Sequence, residues 1–211
     1  MNSKTLLGAA FGIVGLIIST FASASIIGNP VVDRANADQW SNFIVALTSQ
    51  TFTHPGTVGN WSVWAANSGN LGLLVLEDLG SNSYSVKGAD QRTVSAGLNT
   101  FAFTPNSGSA SVQAGWLLGL WIGSAKVDYS SGGQSVAWCS QSGCSNELPV
   151  AGGDTLTLGS ASFPGSGGGA RTYSVQASVP EPGSLALFGL GLLGLAMGRK
   201  RWSRRAAPLA A

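Results

Sequence analysis

Between residues 25 and 179 no long apolar pattern of period 3.6 occurs, and where the pattern is clearest its period is two. That is the alternation of a strand with one face buried and the other wet. The clearest case is residues 171–179, where Tyr173, Val175, Ala177 and Val179 alternate with Thr172, Ser174, Gln176 and Ser178. Gly, Ser and Asn punctuate the chain at roughly the 8–12-residue spacing of short strands in a sandwich or barrel. Further strands are predicted over residues 42–52, 61–65, 71–79, 84–87, 93–98, 100–104, 112–121, 126–129, 136–138 and 155–158. Val94, Ala96 and Leu98 share one face, whereas the next apolar face is Phe101 and Phe103. The phase slips at Asn99, which predicts a turn or bulge there. The unbroken apolar run 114–122 reads as a strand buried on both sides, since its length and two glycines argue against a helix. Helix propensity is weak throughout apart from one turn's worth at 33–40, and 164–169 reads as a flexible glycine-rich loop before the last strand. The prediction is a single all-β domain, an antiparallel β-sandwich over residues 25–179.

Both ends depart from this pattern. Lys4, an uncharged stretch over 6–21 and Ala22-Ser23-Ala24 have the three parts of a secretory signal peptide, residues 1–24, cut after Ala24. Export to an oxidising compartment makes Cys139 and Cys144 read as one disulfide around a small loop. So short a loop stabilises by less than the ~3 kcal/mol expected of a 15-residue one. At the other end Pro180-Glu181-Pro182 stops the last strand. Residues 183–198 carry no charge, and Arg199, Lys200, Arg201, Arg204 and Arg205 follow. This predicts a single transmembrane helix over 183–198 with a basic cytoplasmic end at 199–205 and the β domain outside. Sixteen residues span about 24 Å as a helix, short of the ~30 Å hydrocarbon core, so the segment suits a temporary hold better than a permanent anchor.

Charge changes the picture of partners. Only 9% of the 211 residues are charged, 30 are glycine, and the formal net charge is +2. Within residues 26–179, however, Arg34, Lys87, Arg92, Lys126 and Arg171 face Asp33, Asp38, Glu77, Asp78, Asp90, Asp128, Glu147 and Asp154. The domain is mildly acidic and the basic excess belongs to the tail, so nucleic acid is excluded as a partner.

Candidate chemistry is sparse. Trp61 and Trp64 lie in one segment, and a flat indole can stack on the apolar face of a sugar ring. Strand alternation points the two to opposite sides, so at most one of them is core on that argument. His54 is the only histidine and sits in a Thr-His-Pro-Gly turn without a nucleophile elbow. Glu77, Asp78, Asp128 and Asp154 are the carboxylates that glycoside hydrolysis could pair, but the adjacent Glu77 and Asp78 point apart on a strand. Asp154 alone offers too few oxygens for Ca²⁺. No catalytic residue, metal ligand or cofactor is expected.

Residues 179–184, the apolar run to Met197 and the basic cluster together resemble the PEP-CTERM sorting signal of Gram-negative bacteria. Only the last 30 or so residues carry the resemblance, and Ala206 to Ala211 extend beyond the family's usual stop. The resemblance implies export through the inner membrane, recognition by an exosortase near Pro180-Glu181-Pro182 and association with exopolysaccharide or biofilm. The domain more loosely resembles the jelly-roll or galactose-binding-like sandwiches that often precede such tails. The expectation is an exported, non-catalytic envelope or matrix protein, held briefly in the membrane by residues 180–211 and then released to the cell surface or beyond. A carbohydrate-binding module using exposed tryptophans is the second expectation, and a glycan hydrolase or lyase the third.

Overall fold

A computed structural model describes residues 24–140, 150–159 and 166–180. They form strands and connections without a helix. In chain order the strands are β1 (Ala24–Gly28), β2 (Asn36–Ala37), β3 (Phe43–Thr51), β4 (Gly56–Thr57), β5 (Asn60–Ala65), β6 (Gly69–Gly80), β7 (Ser83–Val94) and β8 (Gly97–Ala102). They continue with β9 (Ser107–Gly108), β10 (Ser111–Val112), β11 (Leu117–Ile122), β12 (Asp128–Ser140), β13 (Thr155–Thr157), β14 (Ser166–Tyr173) and β15 (Val175–Pro180). The large sheet has the order β13-β7-β6-β11-β3-β12-β14, with β2 beside β12 and β9 beside β7. The small sheet is β1-β15-β5-β8, and β10 and β4 make a separate two-stranded ribbon. The strand pairs are antiparallel.

The two sheets pack face to face. Trp61, Val63, Val175 and Ala177 from the small sheet meet Val45, Leu47, Leu71, Leu73, Leu118 and Leu120 from the large one in a single cluster. The alternate residues of the large sheet, among them Ile44, Ala46, Leu74, Leu76 and Trp121, are buried on its opposite side with Val150, Leu156 and Leu158. The expected two-sided burial is thus found in β11, where all six residues are buried.

The strands differ from the predicted set where glycine or a long hairpin changed the register. Residues 69–94 form one hairpin of two 12-residue strands, turned by Ser81 and Asn82 with φ of 53° and 61°. Positive φ at both central residues is the turn whose twist matches paired strands. The phase break expected at Asn99 lies earlier, at Gly97, whose φ is +95°. Asn99 continues β8 and holds the turn instead, donating from Nδ2 to Ser95 O at 2.7 Å and Gly97 O at 2.9 Å. Leu98 is therefore 60% exposed while Val94 is buried. Residues 166–169, expected in a loop, belong to β14, with Gly167 opposite Trp138 and Gly169 opposite Val136. An edge strand can be made of glycine because its ladder needs only backbone donors and acceptors. The turn expected around 33–40 is not helical and includes β2.

Strand 171–179 keeps its inward face as predicted, with Tyr173, Val175, Ala177 and Val179 all buried. It serves two sheets, however: β14 ends at Tyr173 in the large sheet and β15 begins at Val175 in the small one. Ser174 at the corner has no exposed surface although it falls on the expected wet face. Cys139 is also fully buried, in the outer cluster. Cys144 lies outside the described residues, so the expected Cys139–Cys144 bridge is not established by the structure. The signal peptide (1–23 of it), the segment 183–198 and Arg199 to Arg205 lie outside them too. No helix of the described residues is long and apolar enough to cross a membrane.

Two buried acids are held by polar contacts, and one of them, Asp90, joins the two sheets. Asp90 on β7 is fully buried and accepts the Trp61 Nε1–H from the opposite sheet at 2.8 Å and the Thr104 backbone N–H at 3.2 Å. Its Oδ1 lies 2.8 Å from Arg92 Nε, off the line of the N–H bond, so the contact is an ion pair more than an aligned hydrogen bond. Asp38 accepts Arg171 NH1 at 2.8 Å and the Tyr173 hydroxyl at 3.1 Å, and the Arg171 guanidinium lies 4.4 Å over the Tyr129 ring. Burial outweighs Arg171 and lifts the Asp38 carboxyl from 3.8 to about 6.

Truncating one partner of a buried charged pair leaves the other uncompensated. Asp90→Ala is expected to lower the unfolding free energy by about 3 kcal/mol and Trp61→Phe by about 1 kcal/mol, read from urea unfolding of the full chain. Although it pairs with Arg171, Asp38 has a raised rather than a lowered pKa, because burial outweighs its partner. Its raised value means the folded state holds the proton more tightly than the unfolded chain, so its stabilisation is complete below pH 3.8 and is lost as pH rises through about 6. Thermal unfolding between pH 3.5 and 7.5 should show this loss, about 2–3 kcal/mol, and Asp38→Asn should flatten it. An equal slope in the variant would assign the effect elsewhere.

Candidate functional site

Beside the corner at Ser174 lies an open cleft of about 450 Å³, lined by Asp33, Arg34, Asn36, Trp64, Gly97 and Asp128 together with small alanines. That is within the ~300–1,000 Å³ of ligand clefts. Its frame is backbone. Ser174 N–H donates to Asp128 O at 2.9 Å, and Trp64 N–H donates to Ser174 O at 3.0 Å, so β12, the corner and β5 are joined edge to edge. The Ser174 hydroxyl accepts Arg34 Nε–H at 2.6 Å and donates to Val32 O at 2.6 Å. These bonds pin the otherwise irregular segment 32–37 against the sheets.

Trp64 lies on the cleft wall because it alternates with Trp61. Trp61 is 1% exposed, packs 5.2 Å from Phe101 and is bonded to Asp90. A sugar contact at Trp61 is therefore excluded, since its ring and its N–H are both consumed inside. Trp64 is half-buried on the other side of the strand, opposite the exposed Leu98 of β8. Of the other tryptophans, Trp121 is buried, Trp116 and Trp138 pack partly against the core, and Trp40 is exposed, 5.1 Å from Trp138.

The polar side of the cleft is an acid pair that the sequence did not single out. Asp128 is 4% exposed and accepts the Arg34 backbone N–H at 3.2 Å. Asp33 is exposed, and burial followed by the nearby Asp33 charge raises the Asp128 carboxyl above its usual range despite the Arg34 N–H. Ninety-four residues separate Asp128 from Arg34, so only the pairing of β2 with β12 brings the two acids together. The Arg34 guanidinium is already engaged, by Ser174, by Ser130 at 3.3 Å and by Pro30 O at 2.9 Å.

The other residues considered for chemistry are placed apart from the cleft. Glu77 pairs with Lys87 at 2.6 Å. Asp78 accepts Gly80 N–H in the hairpin turn and Asp154 accepts Ala151 N–H in its loop, at 2.8 and 2.7 Å. His54 Nδ1 lies 2.8 Å from the adjacent Thr53 hydroxyl on the surface. None of these lines the cleft, and the described residues contain no cluster of three or more potential metal ligands.

The remaining functional feature is the end of β15. Its register pairs Ala24 with Pro180 and Ile26 with Ser178 on β1, while Gly59 N–H donates to Ser178 O at 2.8 Å and Asn60 N–H to Ser178 Oγ at 3.1 Å. Pro180 is thus the last residue of an interior strand of the small sheet, directly beside the first strand of the domain. Glu181 and Pro182 lie outside the described residues. Residues 178–201 match the PEP-CTERM protein-sorting motif. The chain carries this motif, and it implies export and processing by an exosortase. No curated protein and no solved structure matches the chain.

Proposed function

We propose that this is a non-catalytic protein of the cell envelope or extracellular matrix, associated with exopolysaccharide. In this reading residues 183–198 hold it briefly in the inner membrane with the domain in the periplasm. Exosortase processing near Pro180-Glu181-Pro182 then sends the domain to the surface or beyond. The observation that carries it is the junction at Pro180, where the motif match begins inside β15 and leaves no spacer between the β domain and the sorting signal. Pairing of Ala24 with Pro180 brings both processing junctions to one edge of the sheet. The domain therefore meets the membrane at a single end and keeps the rest of its surface free.

The acids support a non-catalytic reading. Glu77, Asp78 and Asp154 are occupied in separate turns and pairs. Asp128, though beside Asp33, is buried and already accepts the Arg34 N–H, whereas glycoside hydrolysis needs two carboxyls open to the sugar and about 5–10 Å apart. A second reading, a carbohydrate-binding module, is favoured by Trp64 at the cleft. It predicts that a bound glycan changes tryptophan fluorescence in the full chain and that Trp64→Ala abolishes the change.

Replacement of Pro180-Glu181-Pro182 by alanines is expected to leave the full-length chain in the inner membrane, seen as one unshifted band in fractionated cells. Because Pro180 ends a strand, Glu181→Ala with Pro182→Ala provides the variant that leaves the sheet intact. Normal processing in both would refute the sorting role.

A further inference from the structure

The cleft carries a specificity of its own. We propose that it takes a pyranose glycan without carboxylates and turns away uronate-rich chains. The proposal rests on the carbohydrate-binding reading and names the class of glycan.

The wall and floor favour a sugar ring. Trp64 is half-buried, so its indole is held in place while one part remains accessible. Around it the cleft presents Ala66, Ala96 and Gly97, residues too small to cover a ring stacked on the indole. Facing this apolar wall are acceptors: the exposed Asp33 and the buried Asp128. Sugar hydroxyls are donors, and a carboxylate takes a hydroxyl as a charge-assisted hydrogen bond.

The same groups exclude a carboxylate on the sugar. A uronate would bring a third negative charge against Asp33 and Asp128, and like charges in contact weigh heavily against the wrong partner. Relief by direct pairing could come only from a cation free to turn to the ligand. The cation lining the cleft is Arg34, and its Nε, NH1 and NH2 are directed to Ser174, Ser130 and Pro30. Those contacts hold the segment 32–37 in place, so the guanidinium fork cannot turn to a ligand without undoing the site.

The test uses the full chain in a detergent without a sugar headgroup, titrated with hexasaccharides by tryptophan fluorescence and calorimetry. Uncharged β-1,4-glucan, β-1,3-glucan and β-1,4-mannan hexamers are compared with galacturonate and mannuronate hexamers. At least one uncharged hexamer should bind at least about tenfold more tightly than either uronate, and the gap should narrow in high salt. Trp64→Ala should abolish binding, Trp40→Ala should leave it unchanged, and Asp33→Asn, at an exposed position, should lower the neutral-to-uronate ratio several-fold. Uronates binding as tightly as neutral hexamers, or a ratio untouched by Asp33→Asn, would overturn the specificity while leaving the sugar cleft standing. Absence of binding by every hexamer, or binding indifferent to Trp64→Ala, would overturn the cleft reading and the specificity with it.

Discussion

The structure turns on one residue-long corner. Between Tyr173 and Val175 a single strand leaves the large sheet and enters the small one, and Ser174 is the residue that makes the passage. A buried corner exposes backbone groups that no ladder satisfies. Here all of them are met: the N–H by Asp128 O, the carbonyl by Trp64 N–H, and the hydroxyl by both Arg34 and Val32. The side-chain alternation passes through the corner unbroken, so Tyr173 and Val175 face the same core from different sheets. The cleft is a by-product of this joint, because its frame, Trp64, Arg34 and Asp128, is the set of groups that satisfies Ser174.

The sandwich is held by few polar contacts of large effect. Trp61 and Asp90 bridge the two sheets, and the Trp61 indole cannot leave without stranding a buried carboxylate. Asp38 plays a different part, ionising late because burial outweighs its arginine. The large sheet is covered on both faces, which explains why its central strand β11 reads as a continuous apolar run. Its outer face is closed by Val150, Leu156 and Leu158, contributed by the excursion between β12 and β14.

The same corner strand also connects the domain to its destination. β15 is enclosed by β1 and β5, so the residues that open the sorting motif are locked into the small sheet beside β1. The cleft at the corner lies at the other end of β15. The sorting motif and the cleft are thus separated along one strand: Pro180 at its end and Ser174 at its start.

The sequence alone determined what is local. Alternation at 171–179 predicted the buried face, the apolar run predicted the doubly covered strand, and the order of proline, apolar segment and basic cluster identified the sorting motif, because each of these is a pattern in neighbouring residues. It also separated Trp61 from Trp64, since adjacent strand phases point apart. Only the tertiary structure decided which of the two was core, where the phase break lay, and that Asp33 and Asp128 meet. The phase slip was read at Asn99, and the structure places it at Gly97, whose φ of +95° a residue without a side chain adopts without strain. The acid pair left no trace in spacing, because its members are brought together by β2 pairing with β12 across most of the chain. Long-range pairing of this kind depends on which edges remain free once the sheets have closed, and no window of sequence contains that information.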